Sequence, residues 1–212
     1  MDVFLDLDGT LTDNREGILR SIRHALKTLD EPVPDEASLL SWIGPPLQVS
    51  FMNHLVDKER ADTAVELYRA RYQEIGLFEN AVYEGVPEMM QELRKAGCRL
   101  WLATSKPHVY ANRIASYFGL SPHLDGVFGS ELDGTRGDKT DLLLHARKTI
   151  GAADPTMLGD RRFDMIGACN TGTRAIGALW GYGSREELCA AGAEFLADRP
   201  SDVPSLLGEM IR

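Results

Sequence analysis

Apolar and polar positions along this chain follow two regimes. Val3-Phe4-Leu5 is a short apolar run closed by Asp6, the pattern of a strand buried in a parallel sheet. After Asp13 the period turns helical and stays so to about residue 80. Ile18, Ile22, Leu26 and Leu29 share one face until Pro32-Val33-Pro34 breaks the run. Ser38 to Trp42 and Leu47 to Leu55 are two further helical stretches, separated by Gly44-Pro45-Pro46. Ala61, Ala64, Val65, Tyr68, Tyr72 and Ile75 then trace the clearest face, closed by Gly76, with the two tyrosines expected inside. Nothing between 14 and 80 reads as a strand.

From Glu84 the regimes alternate. Helices are predicted from Val86-Pro87 to Ala96, through Tyr110 to Phe118, over Leu142–Ile150 and Phe163–Asn170, and at the end through Leu206 to Ile211. Strands are predicted at Leu100–Ala103, Gly126–Gly129, Thr156–Leu158 and Ala175–Leu179. Ser184 and Glu187 have the spacing of a capping box, each expected to satisfy the other's backbone donor. Alternating strands and helices imply an α/β chain with a doubly wound parallel sheet. The expected division is a core of residues 1–13 and 81–212, interrupted by an all-helical insertion over 14–80.

Composition narrows the partners. The 212 residues carry a formal net charge of −9 and a pI of about 5.1, which disfavours a nucleic-acid polymer or an anionic membrane surface. A small phosphorylated metabolite remains compatible, because a cation and a lysine can reverse the sign of one pocket. No apolar run approaches the ~20 residues of a membrane span. Met1-Asp2 leads directly into a strand, without a basic leader, and the expectation is a cytoplasmic protein. Cys98, Cys169 and Cys189 stand singly and read as reduced core residues.

The chemistry collects where apolar runs end. Ligands of open parallel sheets bind beyond the carboxyl ends of the strands. Leu5 gives way to Asp6, Ala103 to Thr104, and Leu158-Gly159 to Asp160. Asp8 follows Asp6 by two residues, so continued extension would aim both carboxylates the same way. Carboxylates held that close call for a cation between them or a retained proton. A hard ion such as Mg2+ suits them, and a nucleophile then lies beside an acid/base. Asp164, four residues beyond Asp160, begins a helix and is expected to support the site more than to ligate. Lys139 and Lys106 are the cations near the rim, and Ser105 could add a second hydroxyl. The five histidines show no metal spacing, Gly-x-Ser-x-Gly is absent, and Gly181-Tyr182-Gly183 reads as a turn.

The octapeptide Asp6-Leu7-Asp8-Gly9-Thr10-Leu11-Thr12-Asp13 resembles the first motif of the haloacid dehalogenase-like superfamily, in its phosphatase branch. Thr104, Lys139 and Gly159-Asp160-x-x-x-Asp164 resemble the second, third and fourth motifs. The resemblance implies a Rossmann-like core with a helical cap that determines substrate specificity. It implies that Asp6 attacks phosphorus, forming an aspartyl-phosphate, and that Asp8 is the general acid/base. Thr104 and Lys139 would hold phosphoryl oxygens. Mg2+ would be bound by Asp6, Asp160 and the backbone carbonyl of Asp8, with Asp164 nearby. Gly9, Thr10, Ser105 and Lys106 are the expected phosphate- or substrate-binding positions. Arg15 and Gly44-Pro45-Pro46-Leu47 resemble the cap positions that face the substrate in phosphoglycolate-phosphatase-like members.

Asp8 argues against the dehalogenating branch, which needs no leaving-group proton. A phosphomutase could share the whole core. A receiver-type phospho-switch places its phosphorylated Asp after the third strand and lacks a helical insertion. Lys139-Thr140-Asp141 stands where phosphoglycolate phosphatases frequently have Lys-Pro-x-Pro. With Thr104-Ser105-Lys106-Pro107, it is closer to relatives known as 5′-nucleotidases. A nucleoside 5′-monophosphate or similar small phosphomonoester is the preferred expectation, and phosphoglycolate the alternative.

Overall fold

The computed structural model describes residues 1–43 and 47–210, and the chain divides into two compact units: Met1–Asp13 with Val82–Arg212, and Asn14–Ala81. In the first unit, β1 (Asp2–Leu5) is buried at every position. It is followed by β2 (Thr12–Asp13), a two-residue strand.

The second unit opens with α1 (Arg15–Thr28), then α2 (Glu36–Leu40), α3 (Leu47–Leu55) and α4 (Lys58–Arg71). The helical spacing read from sequence is realised here, because Ile22, Ala25 and Leu26 of α1 and Ala61, Ala64 and Val65 of α4 are all buried. Asp35 and Asp57 cap α2 and α4, each accepting a backbone N–H three residues on. A π-helical turn over Tyr72–Gly76 ends the run, with Tyr68 and Tyr72 stacked at 5.2 Å. Arg71 grips both carboxylate oxygens of Glu79 at 2.8 and 2.9 Å and also donates to Ser21. Arg20 adds a further bond to Glu79.

The chain then passes through β3 (Ala81–Val82), which pairs with β2. Next come α5 (Val86–Lys95), β4 (Arg99–Pro107), α6 (His108–Tyr117) and β5 (Gly126–Ser130). They are followed by α7 (Lys139–Ile150), β6 (Thr156–Gly159), α8 (Arg162–Thr171) and β7 (Arg174–Ala178). Last are α9 (Arg185–Ala190), β8 (Phe195–Ala197) and α10 (Val203–Met210). Among the described residues, six strands form one parallel sheet in the order β5-β4-β1-β6-β7-β8. This is the α/β parallel architecture the pattern predicts. β1 lies between β4 and β6, with Leu5 opposite Leu102 on one side and Leu158 on the other. Phe4, Ala103, Met157 and Ala175 bring strand side chains into one core with Leu142, Leu143 and Ala146 of α7, Met165 and Ala168 of α8, and Leu188 of α9.

Several local expectations need correction. β4 runs past Thr104 to Pro107, and its pairing with β5 shifts register between Thr104 and Pro107. β8 and the β2–β3 pair have no counterpart in the sequence reading. α7 begins at Lys139 because Asp138 caps it, accepting from the N–H groups of Thr140 and Asp141. Only half of the expected capping box forms at α9. Ser184 accepts from the Glu187 N–H, but the Glu187 carboxylate accepts from Arg161 and the Arg162 backbone instead. Of the cysteines, Cys98 is buried, whereas Cys169 and Cys189 are exposed.

Candidate active site

Two of the three strand ends nominated from sequence bring carboxylates together, Asp6 and Asp160, and at the third the Ala103 carbonyl accepts from Lys139 beside them. Asp6 follows β1 directly, and its N–H donates to the carbonyl of Leu158 on the neighbouring strand. Asp160 follows β6, and Asp164 is the third residue of α8. Their carboxylates, all buried, can each offer one oxygen within 4.8 Å of the others. Lys139 reaches this cluster from the first turn of α7. Its Nζ lies 2.8 Å from Asp6 Oδ1 and 2.7 Å from Asp164 Oδ1, and donates to the Ala103 carbonyl at 3.0 Å.

Small residues make that convergence possible. A side chain on Gly159 would overlap the Asp164 carboxylate, and one on Gly167 would crowd the stem of Lys139. Gly9 has φ +88°, and a Cβ there would overlap the Asp160 carboxylate. Only glycine combines that backbone with so close an approach.

Charge in the cluster is unbalanced: three carboxylates meet one ammonium. Burial opposes the Lys139 cation, but Asp164 and Asp6 outweigh it and hold the group above its usual range. Burial pushes Asp164 up to about 6, with Lys139 opposing and the Asp6 charge reinforcing the rise. Asp160 is raised well above the usual carboxylate range by burial first, then by the charges of Asp164 and Asp6. Hydrogen bonds from the Tyr182 N–H and the Thr10 hydroxyl act the other way. Repulsion of this kind is relieved by a divalent cation. An all-oxygen donor set suits a hard ion such as Mg2+. The residues therefore fit the metal that the sequence implies.

Asp8 has a cation of its own. Its Oδ2 pairs with Lys106 Nζ at 2.6 Å, and the Lys106 side chain is largely buried. The bulge in β4 explains how Lys106 gets there. Three steps from Thr104 to Pro107 oppose one step of β5, from Gly129 to Ser130. Thr104 is buried, with its hydroxyl accepting from the Lys106 N–H. Ser105 is exposed, and its carbonyl accepts from the Ser130 hydroxyl at 2.8 Å.

Two residues expected at phosphate have other engagements. Thr10 is fully buried and its hydroxyl donates to Asp160 Oδ1 at 3.0 Å, so it supports a carboxylate. The Gly9 N–H donates to the Thr12 carbonyl. Arg15 is exposed at the start of α1 in the second unit, and Pro45 lies outside the described residues. Sequence reasoning missed Tyr182, whose N–H donates to Asp160 Oδ2 at 2.8 Å. The glycines flanking it were the available signal, read only as a turn.

The candidate site is thus a parallel sheet whose central strand ends in a lysine-held carboxylate, beside two further buried acids. The chain belongs to the haloacid dehalogenase-like hydrolase family, which matches residues 3–178, and within it the chain is a phosphatase. It is 45% identical over 192 residues to a 5′-nucleotidase of Pseudomonas aeruginosa, covering 89% of this chain and 87% of that one. A "predicted phosphatase" of Clostridium acetobutylicum superimposes with a TM-score of 0.90 at 38% identity, covering 98% of each chain. The tyrosine-protein kinase PtkA of Mycobacterium tuberculosis is 38% identical over 85% of this chain, a match spanning 62% of that protein.

Proposed function

We propose that this phosphatase hydrolyses a small phosphomonoester, preferentially a nucleoside 5′-monophosphate, with Asp6 as nucleophile. The observation behind this is the position of Asp6: at the end of the central strand, with Oδ1 fixed by Lys139 and two more buried carboxylates alongside. A carboxylate oxygen of Asp6 attacks phosphorus while the bond to the leaving oxygen breaks. Asp8 gives that oxygen its proton. Asp8 then takes a proton from the water that attacks the phosphorylated Asp6, releasing inorganic phosphate and restoring the carboxylate. Acid/base assistance of this type contributes about 10²–10⁴-fold.

Asp6, Asp160 and the Asp8 backbone carbonyl would hold Mg2+, with Asp164 keeping Lys139 in place. When bound, the ion would neutralise the carboxylates and draw charge from the phosphoryl oxygens. Lys139 and the Thr104 hydroxyl would hold those oxygens as charge accumulates on them. Lys106 and Ser105 would meet the substrate at the rim. The helical unit over residues 14–81, with Arg15 and the segment around Pro45, would select the leaving group and exclude water.

The 45% identical relative named a 5′-nucleotidase supports the nucleotide preference, as do Thr104-Ser105-Lys106-Pro107 and Lys139-Thr140-Asp141. Phosphate release would be measured across nucleoside 5′-monophosphates, phosphoglycolate and sugar phosphates, with Mg2+ and with EDTA. Mg2+-dependent turnover that is greatest on nucleotides and abolished in Asp6→Asn is the expected result. Greatest turnover on phosphoglycolate would refute the substrate preference. Undiminished turnover by Asp6→Asn would refute the mechanism.

A further inference from the structure

We propose that Trp180–Gly183, the segment after β7, is a strap that fixes the Asp160 carboxylate for cation binding, with Tyr182 and Trp180 as positioning residues. Asp160 is fully buried, and each of its carboxylate oxygens accepts one hydrogen bond from this strap or from a residue tied to it. Tyr182 donates its N–H to Oδ2 at 2.8 Å. Thr10 donates its hydroxyl to Oδ1 at 3.0 Å, and the Thr10 carbonyl in turn accepts from Trp180 Nε1 at 2.9 Å.

The strap is anchored at its tip as well. Tyr182 donates its phenol to Asp13 Oδ1 at 3.0 Å, so the segment is fastened to residues 10–13 at two points. Burial, then the neighbouring Tyr83, Asp13 and Asp8, keep that phenol protonated and available as a donor. The glycines have a steric task. A Cβ on Gly181 would overlap Asp160 and the Gly9 carbonyl, and one on Gly183 would overlap the Asp160 carbonyl. The backbone therefore lies directly against Asp160, along both its side chain and its main chain.

An ionised carboxylate oxygen accepts more than one bond, so the strap leaves capacity for a cation while limiting rotation of the group. Partners behind a metal ligand typically change affinity by about 10–100-fold when removed. Trp180→Phe and Tyr182→Phe each delete one anchor and preserve most of the packing. The inference rests on the cation reading above, so binding is measured directly. Mg2+ and Mn2+ are titrated calorimetrically into the full chain, with urea unfolding in EDTA recorded in parallel.

The expected result is about 10-fold weaker Mg2+ binding in each variant, a modest loss of stability in EDTA from the unpaired acceptor, and kcat recovered at saturating Mg2+. Wild-type binding with unaltered affinity in both variants would overturn the strap alone. Equal loss of stability with and without Mg2+, at unchanged affinity, would reduce the segment to packing and also overturn it. A wild type that binds neither ion would overturn the cation reading and the strap together.

Discussion

Replacing Lys139 with methionine isolates the electrostatics of the acidic cluster. Methionine keeps an unbranched stem against Gly167, so the lost quantity is the ammonium and not the packing. That ammonium lies within 3.0 Å of Asp6, Asp164 and the Ala103 carbonyl, and Lys139 and both carboxylates are buried. Removing one partner of a buried ion pair costs about 3–5 kcal/mol, because the remaining charge stays desolvated. Here two carboxylates remain, each near the other, which favours the upper end. Against a typical total stability of about 5–15 kcal/mol, the loss is large.

Urea unfolding followed by circular dichroism in EDTA would measure it. The expected loss is about 5 kcal/mol, and saturating Mg2+ should restore much of it by binding only the folded chain. Adding Asp164→Leu to Lys139→Met should cost less than the two single losses summed, since the residues share one interaction. Turnover should fall by about 10²–10³-fold, as when one donor to a developing oxyanion is removed. Stability of Lys139→Met within about 1 kcal/mol of wild type in EDTA would refute the argument, because a desolvated, uncompensated pair cannot be that cheap.

Other consequences are open to direct test. Asp8→Asn should slow hydrolysis of alkyl phosphates by about 10²–10⁴-fold. It should affect aryl phosphates much less at the first step, since a phenolate leaves without a proton; burst kinetics would separate the steps. Gly9→Ala should cost far more stability than Gly134→Ala, although both have positive φ, because only at Gly9 would the new methyl meet Asp160. Thermal denaturation of the pair separates steric overlap from backbone strain.

Hydrogen bonds from Arg71 chiefly hold Glu79 below its usual range, against burial. Its stabilisation is therefore present above the unfolded value of about 4.3 and is lost as pH falls through the lower folded value. Glu79→Gln should lose about 1–2 kcal/mol at neutral pH, by urea unfolding, and the gap to wild type should narrow below about pH 4.

The sheet and the carboxylate rim were legible because strong local signals coincide there. Apolar runs such as Val3–Leu5 and Thr156–Leu158 end on the residues that meet at the site, and the rule about strand ends needs no tertiary detail. What escaped depends on partners distant in sequence. Phe195–Ala197 is too short to show a period and becomes a strand by pairing with β7. Glu187 has the spacing of a capping residue, yet α8 offers it a guanidinium and an unsatisfied N–H, and that competition decides. The path of β4 beyond Thr104 follows from its pairing with β5 and from the Ser130 hydroxyl bonded to Ser105. Thr10 and Tyr182 were invisible as supports of Asp160 because their separations from it, 150 and 22 residues, leave no pattern along the chain.

The central place of β1 also has a consequence for how the molecule is made. Val3 pairs with Leu100 on one side and Thr156 on the other, so β1, which precedes both β4 and β6 in the chain, must wait for both neighbours. Until they emerge, an apolar segment ending at Asp6 has two open edges, the condition that favours mispairing between nascent chains. The helical unit over Asn14–Ala81 has its own buried core and is complete before Leu100 appears. By folding first it would replace a long flexible loop with a compact one and reduce the entropy lost when β1 meets β4. The helical insertion would then serve as a folding aid, drawing together two parts of a sheet that translation separates.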